Sequence, residues 1–231
     1  MGRIVIVKCG STMPELAARV GDFEDWIVAA MGHRADDTAV WDARSDDPPP
    51  TAEGYIITGS HESLMDDAPW MLNALNWLGD VIDRGVPILG ICFGHQMIAR
   101  VLGGTIGENP RGAEVGTTTI RLTEQARRDA LFSGLTEDLR VHTAHYQTIL
   151  QLPPNVTILA TNAMDPYHAV RYRDQVWGLQ FHPEMRPEIV KAYEVELKNM
   201  MPAKVPGTGR LMNTEGLAEG IVPLQRFALL V

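Results

Sequence analysis

The segment at residues 86–102 constrains the fold of this chain most strongly. A short apolar run at 88–91 leads into Cys92-Phe93-Gly94, and the residues after it have the apolar spacing of a helix. Glycines at 90 and 94 tolerate positive φ angles and allow close backbone approach. The segment predicts a strand, a sharp turn and a helix, with Cys92 at the helix N-terminus, where partial positive charge favours a reactive thiolate. Taken alone, Cys92 is more typical of a small buried apolar residue.

Apolar runs alternate with helix-spaced stretches along the first half of the chain, and the second half is richer in strands. This alternation predicts an α/β fold with a mostly parallel sheet, covered by helices on both faces. The expected strands are 3–8, 39–41, 55–57, 88–91, 117–122, 140–143, 156–160, 169–172 and 176–181, the last two forming a hairpin, and the expected helices are 23–31, 69–84, 93–102 and 187–200.

Length and composition exclude several classes of protein. A chain of 231 residues with 45% hydrophobic content is long enough for one sizeable core. The net charge of −9 gives no basic surface for nucleic acid or an anionic membrane, and no segment has the roughly 20 apolar residues of a spanning helix. The two cysteines, Cys9 and Cys92, suggest neither disulfides nor a cysteine-based zinc site. We therefore expect a soluble, cytoplasmic protein.

The chain divides unequally into a domain and an extension. Residues 1–201 carry all the predicted strands and helices, and residues 202–231 show no clear periodicity before the apolar stretch 227–231. The extension is either an arm packed on the core or on a second subunit, which would make a homodimer, or a poorly ordered tail. Its apolar end favours the packed arm.

A second segment with residues suited to catalysis is Phe181-His182-Pro183-Glu184, at the end of an apolar strand. Pro183 restricts His182 to an extended conformation, and Glu184 can orient the imidazole ring and stabilise its charged form. The motif alone fits an ordinary strand end. Together with Cys92, it predicts a nucleophile, a histidine acting as base and acid, and a carboxylate that orients the histidine.

The turn Thr58-Gly59-Ser60-His61 is a third place, because it follows a strand and consists of small residues. The backbone N–H groups of Ser60 and of Phe93, the residue after the cysteine, would stabilise the oxyanion of an acyl-transfer intermediate. The alternative is an ordinary connecting loop.

Two motifs in this order, GICFGHQ at 90–96 and QFHPE at 180–184, resemble the class I glutamine amidotransferase family over roughly residues 1–200. The resemblance implies a flavodoxin-like three-layer α/β/α fold with a small antiparallel β section. It also implies that Cys92 attacks the side-chain amide of glutamine and forms a γ-glutamyl thioester, which water hydrolyses after ammonia leaves. No cofactor is expected.

The resemblance carries over to individual residues. Cys92 would be the nucleophile, His182 and Glu184 would complete the triad, and the N–H groups of Ser60 and Phe93 would form the oxyanion hole. Contacts to the small γ-glutamyl substrate are expected from five residues, namely Gly59, Gln96, His145, Tyr146 and Gln147. Glu114 is a candidate for the pocket mouth. His142 and His145 are three residues apart without a third ligand at a recognisable spacing, so no metal site is expected.

One departure from the family pattern narrows the function. Most members have Gly-Gly-Pro or Asn-Gly-Pro where this chain has Thr58-Gly59-Ser60-His61. The segments ITGSHESLMDDAPW and GGTIGENPRGAEVG are more similar to stand-alone members related to GMP synthetase glutaminase domains, including γ-glutamyl peptidases. We expect cysteine-dependent hydrolysis of a γ-glutamyl amide, in glutamine or in a γ-glutamyl peptide.

Two alternatives stay open. The chain could be a glutaminase subunit that supplies ammonia to a separate synthetase, since it contains no GxxxxGK[ST] loop of its own. It could also be a catalytically silent binding or regulatory module. The presence of Cys92, His182 and Glu184 together argues against the silent module.

Overall fold

The computed structural model describes residues 4–32, 37–200 and 219–231, without the side chains at 194 and 197–200. Position 3 of the first predicted strand and positions 202–218 of the predicted extension lie outside the described residues. The strands are β1 (Ile4–Lys8), β2 (Thr38–Asp42), β3 (Gly54–Ile57), β4 (Ile88–Ile91), β5 (Thr105–Glu108), β6 (Glu114–Leu122), β7 (Asp138–His145), β8 (Gln147–Gln151), β9 (Thr157–Thr161), β10 (Ala169–Arg173) and β11 (Val176–Leu179). The helices are α1 (Pro14–Val20), α2 (Phe23–Met31), α3 (Pro69–Asp83), α4 (Phe93–Val101), α5 (Pro187–Met200) and α6 (Val222–Leu230).

Nine strands form one sheet in the order β2-β1-β3-β4-β11-β10-β9-β6-β7. The first five strands in this order run parallel, which is the arrangement of a doubly wound α/β fold. The predicted fold class is confirmed. The antiparallel part is larger than expected, because β10, β9, β6 and β7 extend the same sheet, and β5 and β8 form a separate two-stranded sheet.

Each face of the parallel strands carries its own apolar core. Ile4 and Ile6 of β1 pack on one side, together with residues of α2 and α6, whereas Val5 and Val7 pack on the other side with α3 and α4. This alternation follows from the two-residue period of a strand, and burial on both faces explains the uninterrupted apolar runs. The three-layer arrangement therefore follows directly from the sequence pattern.

The elements α1, β5 and β8 are not predicted from the sequence pattern. Leu16 is the one buried residue of α1, and β5 and β8 are partly exposed, so none of them shows the uninterrupted apolar run that marks the equally short β3 and β4. In contrast, α2 begins at Phe23 as predicted, and the side chain of Asp22 before it accepts the backbone N–H of Phe23 at 2.8 Å. Asp25 accepts the Asp22 N–H at 2.9 Å, which completes a capping box.

The chain ends in α6, which packs on the sheet. Leu224, Phe227 and Ala228 are buried, and the Phe227 ring meets Trp177 edge-on with centroids 6.3 Å apart. The apolar terminal stretch is thus docked on the core of its own chain, as its composition suggested, and it belongs to a helix that starts five residues before it. The division between residues 201 and 202 stays a prediction. In the described part of the chain, none of the helices has the length and apolarity needed to cross a bilayer.

Replacing Phe227 tests whether α6 is part of the core. Phe227→Ala removes a fully buried ring, so we expect the free energy of unfolding to fall by about 3–5 kcal/mol in urea titrations. Leu229→Ala is the matched control, because Leu229 lies on the same helix and is 72% exposed. The control should change stability by less than about 0.5 kcal/mol. Equal effects of the two substitutions would contradict the packing of α6.

Candidate active site

Cys92 occupies a strained turn between β4 and α4. Its φ is 50° and its ψ is −98°, a conformation that residues with a side chain rarely adopt. The flanking glycines make this turn sterically accessible. A Cβ atom on Gly90 would lie 2.5 Å from the carbonyl carbon of Gly94, and one on Gly94 would lie 2.6 Å from the Ile57 carbonyl oxygen. The predicted strand, sharp turn and helix are therefore present, with Cys92 directly before the first turn of α4.

Backbone hydrogen bonds tie this turn to the neighbouring strands. The Cys92 N–H donates to the Leu179 carbonyl at 2.7 Å, and the Gly94 N–H donates to the Thr58 carbonyl at 3.2 Å. β3, β4 and β11 are adjacent and parallel, so their carboxyl ends meet at one edge of the sheet. The topology therefore brings the segments after these strands together, including Ser60, Cys92 and His182.

His182 is held on several sides. Its Nδ1 lies 2.7 Å from Glu184 Oε1, and both side chains are buried. The Phe23 ring stacks on the imidazole at a centroid distance of 6.4 Å and an interplanar angle of 18°. Gly59 approaches so closely that a Cβ atom there would lie 3.1 Å from His182 Cε1. The pair with Glu184 fixes the orientation of the ring.

The charge of His182 is set by its partners. Burial opposes a positive charge on the ring, but attraction by Glu184 and Cys92, together with hydrogen bonds to both, raises the His182 pKa to about 10. A cationic ring at this position stabilises negative charge on the sulfur beside it. The charged ring therefore lies beside the Cys92 sulfur.

The turn after β3 presents backbone donors next to this pair. Thr58 Oγ1 donates to the Gly59 carbonyl at 2.8 Å, which fixes the plane of the peptide between Gly59 and Ser60. Among the residues that the structure describes, no acceptor is hydrogen-bonded to the backbone N–H of Ser60 or Phe93. Both groups are therefore available to an incoming oxygen, and their assignment to an oxyanion hole stays a prediction.

Three glutamines form a hydrogen-bonded chain that reaches the thiol. Gln96 Nε2 donates to the Gln147 carbonyl and to Gln180 Oε1, both at 3.1 Å. Gln180 Nε2 in turn approaches Cys92 Sγ at 3.5 Å. Gln147 uses its own amide to donate to Ser63 Oγ at 2.6 Å. Two of the predicted substrate contacts, Gln96 and Gln147, are therefore linked to Cys92 through Gln180.

His145 and Tyr146 follow each other at the end of β7. Both ring nitrogens of His145 are engaged, with Nδ1 3.0 Å from the Gln147 carbonyl and Nε2 3.1 Å from Glu114 Oε2. The Tyr146 carbonyl accepts the Asn109 N–H at 2.8 Å. Glu114, expected at the pocket mouth, is instead buried against His145. His142 contacts Thr117 Oγ1 at 3.1 Å, so the two histidines of β7 face different partners.

A cavity of about 430 Å³ is lined in part by His182 and Glu184. Its walls include Trp26, Arg140 and His142, and the lining does not include Cys92.

The site geometry can be compared with known proteins. A family model described as "Glutamine amidotransferase class-I" matches residues 21–197. The chain belongs to the class-I glutamine amidotransferase family. The resemblance carried by the two sequence motifs is thereby confirmed.

Curated relatives of this amidotransferase chain include gamma-glutamyl peptidases and GMP synthases. It is 31% identical to gamma-glutamyl peptidase 4 of Arabidopsis thaliana over 140 residues, which are 60% of this chain and 56% of that protein. It is 41% identical to a glutamine-hydrolyzing GMP synthase subunit of Pyrococcus abyssi over 101 residues, 43% of this chain and 52% of that protein. The chain thus spans little more than half the length of these relatives.

Solved structures share the fold of the amidotransferase chain. A glutamine amidotransferase from Thermotoga maritima has a TM-score of 0.72 and 20% identity, with 98% of this chain and 96% of that chain covered. One from Methylobacillus flagellatus has a TM-score of 0.70 and 24% identity, with 98% and 90% covered. At these identities the likeness shows the fold alone.

Sequence reasoning on this amidotransferase missed two side chains that the structure brings to the site. Gln180 approaches the thiol, and its position directly before the Phe181-His182 pair was the available signal. Phe23 stacks on His182 from α2, far away in sequence, and its apolar spacing indicated only a core residue.

The charge of His182 gives a pH prediction. The folded-state pKa of about 10 lies above the ordinary 6.5, so this group stabilises the fold fully below pH 6.5 and loses its contribution as pH rises through 10. In NMR titrations we expect His182 to stay protonated at pH 7.5, and Cys92→Ser to lower its midpoint because the negative partner is removed. The buried His95 ring, whose pKa burial lowers to about 4, serves as the internal reference for a neutral histidine at pH 7.5. A neutral His182 at pH 7.5 in the unmodified protein would contradict the ion pair.

Proposed function

We propose that this class-I glutamine amidotransferase hydrolyses the γ-glutamyl amide bond of glutamine or of a γ-glutamyl peptide through a thioester on Cys92. The observation that carries the proposal is the position of Cys92 on a strained turn beside the buried pair of His182 and Glu184. The relatives named gamma-glutamyl peptidase support the peptide substrate, and those named GMP synthase support glutamine.

In the proposed first step, the Cys92 thiolate attacks the γ-carbonyl carbon of the substrate. The carbon–nitrogen bond breaks, and the protonated His182 ring gives its Nε2 proton to the departing ammonia or amine. Glu184 holds Nδ1 at 2.7 Å throughout and stabilises the charged ring. The product of this step is a γ-glutamyl thioester.

In the proposed second step, water attacks the thioester carbon. The neutral His182 ring removes a proton from the water, the carbon–sulfur bond breaks, and glutamate leaves with the Cys92 thiolate restored. In both steps the oxyanion would be held by the backbone N–H groups of Phe93 and Ser60. This assignment is supported because neither N–H group is hydrogen-bonded to an acceptor in the described part of the chain.

Substrate positioning is proposed for the residues near the thiol. Gly59, Gln96, Tyr146 and Gln147 stay as proposed contacts to the glutamyl group. His145 has both ring nitrogens engaged, so it would act indirectly, by holding the Gln147 carbonyl at 3.0 Å.

A second candidate function is ammonia supply to a separate synthetase. It is favoured by the 41% identity to the Pyrococcus abyssi relative, which is named as one subunit of a GMP synthase. The two functions differ in their dependence on a partner. Full turnover by the purified chain supports the stand-alone hydrolase, whereas glutaminase activity that appears only on addition of a synthetase supports the ammonia-supplying role.

The first test is a turnover screen over glutamine, glutathione and other γ-glutamyl amides. Cys92→Ser should lower the rate of glutamate release by at least about 10³-fold, because the hydroxyl is a much weaker nucleophile. Labelling by a glutamine-like electrophile should occur at Cys92 and not at Cys9. Burial raises the pKa of the Cys9 thiol to about 12, so this cysteine is a matched unreactive control. Absence of both turnover and labelling would contradict the proposal.

The second test concerns Glu184. Glu184→Gln keeps the shape of the side chain but removes the charge that stabilises the imidazolium, so we expect kcat to fall by about 10²–10⁴-fold with a much smaller change in KM. Glu188→Gln is the control, since the Glu188 carboxylate lies on the surface and pairs with Arg186 at 3.1 Å. Equal kinetics of Glu184→Gln and Glu188→Gln would show that Glu184 does not orient the histidine.

A further inference from the structure

A buried group of three ligand-type side chains lies where β6, β7 and the start of β10 meet. Glu114 Oε2 is 3.1 Å from His145 Nε2 and 3.0 Å from His168 Nε2. One ligand atom from each residue lies within 4.8 Å of the others. We propose that Glu114, His145 and His168, named here the EHH cluster, bind a divalent transition-metal ion such as Zn²⁺.

The hydrogen bonding of His145 leaves one ring nitrogen for such an ion. Its Nδ1 lies 3.0 Å from the Gln147 carbonyl, which only accepts, so Nδ1 carries a proton. Its Nε2 faces Glu114 Oε2 at 3.1 Å, where a proton on Nε2 makes a hydrogen bond and a metal ion can take the place of that proton. A metal-bound histidine is typically oriented in this way, through its other N–H and a backbone carbonyl.

The contacts of His168 favour a metal site over a simple ion pair. Its Nε2 is 3.0 Å from Glu114 Oε2, yet neither ring nitrogen makes a hydrogen bond among the described residues. The side chain is 0% exposed, so water does not replace the missing partner at the protein surface. His168 Nε2 and Glu114 Oε2 are therefore in contact without the geometry of a hydrogen bond. A cation bound by Nε2 gives this buried ring a partner.

The remaining contacts orient the carboxylate and balance the charge. Glu114 Oε1 accepts Asn162 Nδ2 at 2.7 Å, which leaves Oε2 for the ion. A divalent ion and one carboxylate leave one net positive charge. The buried carboxylate of Asp165 lies close enough to act on His145 and can offset that charge.

The donor set favours a first-row transition metal over Ca²⁺ or Mg²⁺. Two imidazoles and one carboxylate match Zn²⁺, whereas Ca²⁺ and Mg²⁺ take oxygen ligands. Tetrahedral coordination with Zn–ligand bonds of 2.0–2.2 Å separates the ligand atoms by about 3.3 Å. The separations of 3.0 and 3.1 Å need to open by only a few tenths of an ångström. Three protein ligands leave a fourth position for water.

The EHH cluster would support the Cys92 region without taking part in the chemistry. The Gln147 carbonyl, which His145 contacts, also accepts Gln96 Nε2, and Gln96 contacts Gln180 beside the thiol. The Gln180 N–H donates to the His168 carbonyl at 2.9 Å. A metal ion in the cluster would therefore fix two backbone segments that hold Gln180.

The test uses the Cys92→Ser chain, because the thiol and His182 could themselves bind zinc. After dialysis against a chelator, the protein is titrated with Zn²⁺, and bound metal is measured by elemental analysis. We expect about one equivalent per chain and a rise in the thermal midpoint. Glu114→Gln and His168→Gln in the same background should weaken binding by more than about 100-fold, and His142→Gln, the other histidine of β7, should leave it unchanged.

Two results would overturn the metal site. One is the lack of stoichiometric Zn²⁺ binding by the folded Cys92→Ser chain, and the other is binding that persists in Glu114→Gln and His168→Gln. If these variants do not fold, X-ray absorption of the Zn²⁺-loaded Cys92→Ser chain decides. Two imidazoles with oxygen support the EHH cluster, and any other ligand set excludes it. The outcome is independent of the proposed hydrolysis, since the tested chain lacks the thiol.

Discussion

The close approach of α4 to the strands beneath it is the constraint on which the candidate active site depends. Without side chains at Gly90 and Gly94, the first turn of the helix lies directly against β4 and the end of β3. Any Cβ atom at these two positions would overlap backbone atoms of the neighbouring segment. This contact forces the chain into a sharp turn at Cys92 and sets the thiol at the carboxyl edge of the sheet. The alignment with His182 then follows from the parallel pairing of β4 and β11.

Much of the parallel half of the fold could be predicted from the sequence. Strands that are buried on both faces produce uninterrupted apolar runs such as 88–91, and long amphipathic helices such as α3 produce a clear period. The elements α1, β5 and β8 were missed because they are partly exposed and lack such a run. Length alone does not decide, since the predicted strand β4 has only four residues.

The candidate site was predictable where its residues lie in compact motifs. Cys92, His182 and Glu184 stand in two short segments, and one sheet edge brings those segments together. Phe23 and His168 belong to no such motif, and their roles follow from contacts between elements that only the folded chain reveals. The expectation of no metal site rested on the spacing of His142 and His145 in sequence and stays a prediction. Glu114 and His168 come close to His145 only in the folded chain.

The φ of 50° at Cys92 lowers the folding stability of the chain at the residue that carries the thiol. Glycine adopts this conformation freely, whereas a residue with a side chain loses of the order of 1–3 kcal/mol there. Cys92→Gly would therefore remove the backbone strain and the thiol together. The strain at this turn is the stability that the fold gives up in order to present a thiol at this edge of the sheet.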